Sequence, residues 1–359
     1  RIIAVSLYLN MIFMPSAELN NLSSFLIRHS SLFQNKNILV CGQLQSVSLD
    51  PLLAEPNTKF LISDYSIFNQ LRITTPELET RLQFGFLTQE TNSFDAILLF
   101  MPKAKQEAGL WLTSVLHSLK PNGEIFIIGE NRGGINATPK LLHSYSNNVQ
   151  KLDSARHCSL YYAQLNAPQA PPELQSLYSN YSLQLTVGLA ELKIAALPGV
   201  FSAGELDEGT RLLLTSLPEL EGDILDLGCG AGVIGATLCQ RSSTATVVMS
   251  DVNTLALHSA AKTLEVNNLT AQIIASDMFS DITTKFDFII SNPPFHAGLN
   301  TNYEATERML RQAPNYLKKH GQLFLVANRF LRYEPILAEV FQSVSVINEN
   351  SRFKIIRAC

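Results

Sequence analysis

The chain has 359 residues, 46% hydrophobic and 16% charged, with a formal net charge of −4. That length suits two domains, each able to bury a core, and the composition is that of a folded soluble protein rather than a disordered one. The five cysteines, Cys41, Cys158, Cys229, Cys239 and Cys359, form no CxxC pair and stand in no His-rich ligand spacing. Buried thiols in a reducing cytoplasm are therefore expected, and no metal site.

Arg1–Met14 is apolar and starts without methionine, but it is too short to span a membrane, contains Asn10 and leads into no small-residue cleavage pattern. An extended or misassigned start is expected, with Met14-Pro15-Ser16 as the true beginning and no membrane anchor. A first domain is expected over residues 15–165. Its first strand, Asn37-Ile38-Leu39-Val40-Cys41-Gly42, ends in one glycine and continues as Gln43-Leu44-Gln45. A second apolar run, Phe94–Leu99, leads into Phe100-Met101-Pro102-Lys103. Residues 166–180 are rich in proline and polar groups and lack apolar periodicity, which predicts a linker.

The second domain, 181–359, carries the chemistry. Asp223-Ile224-Leu225-Asp226-Leu227-Gly228-Cys229-Gly230-Ala231-Gly232-Val233 predicts a buried strand, a glycine-rich turn and a helix whose first N–H groups face a ligand. The Gly-x-Gly-x-Gly spacing, with Asp226 two residues before the first glycine, departs from the dinucleotide fingerprint. An acid there suits a ligand with an ammonium group and a sulfonium charge, such as S-adenosylmethionine. Asp251 ends the run Ala245–Ser250, where a carboxylate can take both ribose hydroxyls. Asp277 follows Ile273-Ile274-Ala275-Ser276 and could accept from an adenine amino group. Either acid alone is as readily a helix N-cap; in order with the glycine turn they point to one crevice at the carboxyl ends of an open sheet.

After the apolar run Phe286–Ile290 comes Ser291-Asn292-Pro293-Pro294-Phe295. Two prolines lock φ and remove N–H donors, so the turn is stiff and its carbonyls stay free to accept. An amide oxygen from Asn292, the Pro293 carbonyl and the Phe295 ring would surround one planar amino group, a site for methylating nitrogen. The competing readings are a proline-terminated strand for the turn and core packing for Phe295. His296 is read as a polar loop residue. Strands are predicted near 224–227, 245–250, 271–275, 286–291, 322–327, 343–348 and 352–357, the last two joined by a turn at Glu349-Asn350.

The halves mirror each other. Asn37–Gly42 matches Asp223–Gly228, Phe94–Leu99 matches Phe286–Ser291, and Leu119–Phe126 matches Leu317–Phe324, in the same order. A duplicated fold follows. The first copy puts Gln43-Leu44-Gln45 in place of further glycines, Phe100 where Asn292 stands and Lys103 where Phe295 stands, so it is not expected to bind the cofactor. Structural support or RNA docking is its expected role.

From Asp226 onward the chain resembles class I S-adenosylmethionine-dependent methyltransferases, which implies a seven-stranded, mostly parallel sheet whose last strand is antiparallel. The whole is thus read as α/β, two tandem Rossmann-like domains with the first degenerate. From Ala17 to its last residues the chain is similar to the RsmC family of bacterial 16S ribosomal RNA guanine-N2 methyltransferases. The likeness includes Arg28-His29-Ser30, Gly129–Gly134, Asp153–Cys158, Leu197–Ser202 and Leu206–Gly209. It implies 16S rRNA in the 30S subunit as partner, a monomeric enzyme and a cytoplasmic location. The Asn-Pro-Pro-Phe element alone also admits adenine-N6 and cytosine-N4 chemistry, or methylation of a protein glutamine. The large-subunit guanine-N2 enzymes share the two-domain plan, and a non-catalytic RNA-binding assembly module is the remaining alternative. Lys103, Lys105, Arg132, Lys151, Arg156, Arg308, Arg311, Lys318, Lys319, Arg329 and Arg332 are the candidate phosphate contacts, each with a solvated surface charge as the alternative.

Overall fold

The computed structural model describes residues 20–184, 191–294 and 300–359. The expected start at Met14-Pro15-Ser16 and the calls on Phe295 and His296 lie outside them. The chain divides into two compact units. One holds the described residues up to Ile62 with Thr74–Gln83 and Leu87–Pro171; the other holds Ser63–Ile73, Phe84–Phe86 and Pro172–Cys359.

The first unit is built on β1 (Ile38–Gly42), β2 (Thr58–Ile62), β3 (Leu82–Phe84), β4 (Phe94–Phe100), β5 (Leu119–Glu130), β6 (Val149–Ala155) and β7 (Cys158–Gln164). They form one sheet in the order β3-β2-β1-β4-β5-β7-β6. Every residue of β1 is buried, as a central strand covered on both faces requires.

Two strands not foreseen from the sequence, β8 (Ser179–Leu183) and β9 (Leu192–Ala196), open the second unit as an antiparallel pair. Residues 179 and 180 of the expected linker thus belong to β8, and Leu174–Leu177 is a 3₁₀ turn. The sequence disguises β8 because its exposed positions, Ser179, Asn180 and Ser182, are polar, while Leu183 points inward. β9 is anchored by side chains of the helix Thr254–Val266: the Ala195 N–H donates to the Thr263 hydroxyl and the Leu197 N–H to the Ser259 hydroxyl.

The second sheet contains β10 (Gly222–Leu227), β11 (Ala245–Asp251), β12 (Gln272–Ala275), β13 (Phe286–Ser291), β14 (Leu317–Asn328), β15 (Val344–Glu349) and β16 (Phe353–Ala358). Its order, β12-β11-β10-β13-β14-β16-β15, repeats that of the first sheet strand for strand. β16 is antiparallel to both neighbours, as the resemblance implies. β14 starts at Leu317, five residues before the expected position: Leu317 pairs with Phe286 across a register shift, and His320 takes a left-handed φ of 66°. The core beneath this sheet packs Leu225, Ile289, Leu323, Leu325 and Ile356 against Phe279, Leu310 and Tyr333.

The duplication extends to side chains. In the first unit Asp95 accepts the Asn37 N–H at 2.9 Å and pairs with Lys120 at 2.7 Å; in the second Asp287 accepts the Asp223 N–H at 2.9 Å and pairs with Lys318 at 2.8 Å. The lysine holds each carboxyl below its ordinary range, with the backbone N–H adding to the effect. Register shifts recur at Phe94/Ala96 and Phe286/Phe288.

Candidate active site

β10 delivers the chain to a turn in which Gly228, Gly230 and Gly232 have φ of 74°, 54° and 80°, a region only glycine enters freely. The Gly228 and Cys229 N–H groups both donate to the Ser250 carbonyl, at 2.8 and 2.9 Å, which draws the turn toward β11. Space beside Gly228 is open, since a Cβ there would meet nothing within 4 Å. At Gly232, in contrast, a Cβ would sit 2.9 Å from the Ala260 Cα, so this glycine serves helix packing. The buried Cys229 thiol is pushed well above its ordinary pKa by desolvation, with Asp251 and Asp226 adding to it, and is no nucleophile.

Asp226 is wholly buried. Its Oδ2 accepts the Gly235 N–H at 2.8 Å and its Oδ1 has no partner among the described residues. Burial pushes its pKa up to about 7, the Gly235 N–H opposing and Asp251 adding to the shift. Asp251 accepts the Gly230 N–H at 3.0 Å on Oδ2 and the Asn253 N–H at 2.9 Å on Oδ1. Burial raises its pKa as well, against those N–H groups. Asp251 lies opposite Ala275 in the β11–β12 register, and the Ser276 N–H donates to the Asp251 carbonyl, so the exposed Asp277 emerges at the same sheet edge.

The turn after β13 meets this edge because Leu227 pairs with Ser291, whose hydroxyl donates to the Leu227 carbonyl at 2.8 Å. Asn292 follows, half-buried. Its Nδ2 donates to Asp207 Oδ2 at 3.1 Å and to Thr210 Oγ1 at 2.8 Å, while its Oδ1 is buried and unpaired among the described residues. Asp207 is held in turn: it caps the helix Glu208–Ser216, its Oδ2 accepting the Thr210 N–H at 2.8 Å. The amide is thereby oriented with its donors spent and its acceptor available. Pro293 is buried and Pro294 exposed.

The carboxyl ends of β10, β11, β12 and β13 thus bring Asp226, Gly228, Cys229, Gly230, Gly232, Asp251, Asp277, Asn292, Pro293 and Pro294 to the same end of the sheet. Sequence reading missed Asp207 and Thr210, and it missed Gly235, where a Cβ would strike the Met249 side chain at 2.2 Å. It also gave no role to Phe201, exposed over the turn with its Cβ 3.9 Å from the place a Gly230 Cβ would take. The residues fit S-adenosylmethionine: open backbone at Gly228 for close approach, an orphan carboxylate oxygen for an ammonium group, and a second acid beside it. Among the described residues no group of three or more His, Cys, Asp or Glu side chains could hold a metal, and no helix is long and apolar enough to cross a membrane.

This sheet order and crevice define a class I S-adenosylmethionine-dependent methyltransferase. The Methyltransferase small domain family matches residues 191–357, and the Methyltransferase small domain N-terminal family matches residues 23–181. Ribosomal RNA small subunit methyltransferase C of Aeromonas hydrophila is 45% identical over 342 residues, covering 95% of this chain and 98% of its own. The protein of that name from Vibrio vulnificus is 41% identical, covering 92% and 96%. A solved structure of the Thermus thermophilus 16S rRNA N2 G1207 methyltransferase (RsmC), in complex with AdoMet and guanosine, is similar with a TM-score of 0.77 and 26% identity, over 89% of this chain and 87% of that one. The chain belongs to the ribosomal RNA small subunit methyltransferase C family.

Proposed function

We propose that this protein transfers a methyl group from S-adenosylmethionine to the exocyclic N2 of a guanine in 16S rRNA, the nucleotide being the one that the Thermus protein's name specifies. It does so as a single chain acting on the 30S subunit in the cytoplasm. The second unit, from β8 onward, is the catalytic domain, and the first is a degenerate copy of the same fold.

The oriented Asn292 amide carries this reading. A guanine amino group is a poor nucleophile because its lone pair is delocalised into the ring. Asn292 Oδ1 and the Pro293 carbonyl accept its two hydrogens, which favours a geometry with the lone pair aimed at the methyl group. S-adenosylmethionine supplies an electrophilic methyl on a sulfonium leaving group. Asp251 binds the ribose hydroxyls, Asp277 the adenine amino group, and Asp226 with the Gly228–Gly232 turn the amino-acid end. Fixed dipoles and alignment carry the catalysis, and the proton on the methylated nitrogen leaves to water afterwards. For Phe295, which lies outside the described residues, the proposed role is stacking on the base.

The test is transfer of tritiated methyl groups to small subunits, or their RNA, lacking the modification. Label on guanine N2 is the expected outcome, and label on any other atom ends the proposal. Separated large subunits in the same assay decide against the 23S alternative.

A further inference from the structure

β14 runs parallel to β13 with Leu325 opposite Ser291, so the residues after Leu325 are carried past the sheet edge on which Asn292 lies. β16 is antiparallel and starts at that edge: Phe353 pairs with Asn328, and the Arg329 N–H donates to the Arg352 carbonyl at 2.8 Å. Between the two chain segments lies an open groove of about 540 Å³ lined by Asn328, Arg329, Phe330, Ser351 and Arg352. Phe330 is 66% exposed, a ring face offered to solvent. The groove connects to the catalytic turn through one helix start. Arg352 pairs with Glu208 at 2.7 Å, and the adjoining Asp207 and Thr210 hold Asn292.

We propose that this groove grips single-stranded RNA next to the target guanine, a neighbouring base stacking on Phe330 and the adjoining phosphates taken by Arg329 and Arg352. The inference rests on the proposed function and adds the place where the substrate strand is held. An aromatic platform between arginines is the arrangement that unpaired nucleotides favour, because every base has a π-face and every linkage an anion. The arginines now face carboxylates, Arg352 with Glu208 and Arg329 with Glu349 at 3.5 Å. These ion pairs are solvent-exposed and weak, so a phosphate with bidentate geometry displaces them readily. Once drawn from Glu208 and Glu349, the two arginines supply phosphate contacts on a protein whose net charge is −4. Two of the other candidate cations are committed elsewhere, Lys318 to Asp223 and Asp287 and Arg311 to Glu307 and Glu339.

The experiment compares the full-length protein with Phe330→Ala, Phe330→Trp and the double variant Arg329→Ala/Arg352→Ala. The probe is a fluorescently labelled single-stranded RNA carrying the target guanine, titrated by anisotropy at several salt concentrations, alongside calorimetry with S-adenosylmethionine. Phe330→Ala should weaken RNA binding about tenfold, and Phe330→Trp should restore it with quenching of the new indole on binding. The arginine variant should lower the slope of log affinity against log salt by about 1 to 2. Cofactor affinity should hold in all three, which shows an intact fold. RNA affinity and salt slope equal to wild type in the Ala and Arg variants would overturn the proposal. Because anisotropy reads binding without methyl transfer, failure of the guanine assignment leaves a separate signature: label absent from N2 with the RNA affinities shifted as stated.

Discussion

Replacing Thr210 by valine keeps the shape of a buried side chain and removes one oxygen, the acceptor 2.8 Å from Asn292 Nδ2. A flip of the wild-type Asn292 amide would set its oxygen against the Asp207 carboxylate and turn its NH₂ toward the substrate amino group, so Asp207 selects the catalytic orientation and the Thr210 hydroxyl adds a second acceptor that holds it. The bond to the Thr210 hydroxyl is neutral and contributes about 1 kcal/mol; the bond to Asp207 is charge-assisted and contributes about 1.5–3 kcal/mol. With the stronger bond retained, Thr210→Val should loosen the amide by about 1 kcal/mol and lower kcat about fivefold. The KM for S-adenosylmethionine should not move, and Thr210→Ser should restore the rate. Asn292→Ala removes the acceptor itself and should lower kcat by about 10²–10³, the range for losing one preorganised polar partner, with cofactor affinity nearly unchanged. The decisive measurement is the double variant. If Thr210 acts only through Asn292, Thr210→Val in the Asn292→Ala background should cost no further rate. A full fivefold additional loss there, or a wild-type rate for Thr210→Val alone, would refute the reasoning.

Two glycines of one turn should fail in different ways. Gly232→Ala places a Cβ 2.9 Å from the Ala260 Cα at φ 80° and should destabilise the protein by about 2 kcal/mol or more, read as a fall in Tm of at least about 5 °C. Gly228→Ala carries the same left-handed strain at φ 74° but meets no atom within 4 Å, so its Tm should fall less than that of Gly232→Ala while calorimetry shows a loss of cofactor affinity. Asp226 should make cofactor binding pH-dependent. Its folded pKa of about 7 lies above the unfolded carboxyl value, so its protonated form is favoured in the empty site. Its contribution to stability is therefore fully present at low pH and is lost as pH rises from the unfolded value through about 7. A cationic ligand favours the ionised form, so affinity for S-adenosylmethionine should rise with pH, by up to about tenfold per unit, and level off above 7; Asp226→Asn should bind with a shallower profile.

The parts of the site legible in the sequence are those whose chemistry is local. Gly228, Gly230 and Gly232 announce a left-handed turn because no other residue makes one cheaply, and Asn292-Pro293-Pro294 announces a stiff one because proline removes freedom and donors together. Asp207 and Thr210 are 85 and 82 residues from Asn292, and nothing in their own neighbourhood distinguishes an N-cap that also steers an amide from an ordinary one. The start of β14 was hidden for another reason: Lys318-Lys319-His320-Gly321 has the composition of a turn, yet the strand passes through it by a bulge. Strand β8 escaped because three of its five residues face water beside a single neighbour.

The first unit shows what the catalytic turn has to avoid. In both units the central strand ends in a glycine of positive φ, 96° at Gly42 and 74° at Gly228. After Gly42 the chain stays on β4: Gly42 pairs with Phe100, the Gln43 N–H donates to the Phe100 carbonyl at 3.0 Å, and the Gln43 side chain accepts the Lys103 N–H at 3.2 Å. A Cβ on Gly42 would fall 2.1 Å from the Phe100 oxygen, so the space a cofactor would enter is filled by the protein's own backbone. After Leu227 the second unit breaks that ladder. Pairing with β13 stops at Ser291, the glycine turn swings to the Ser250 carbonyl, and the Asn292 side chain is drawn off to Asp207 and Thr210. One sheet order therefore supports either a closed edge or a ligand crevice, and the choice lies in which neighbouring strand holds the residue after the first glycine: Gln43 bonds to β4, Cys229 to β11. Restoring Gln43 to a glycine sequence would not reopen the first site, because Phe100 offers no acceptor where Asn292 offers one.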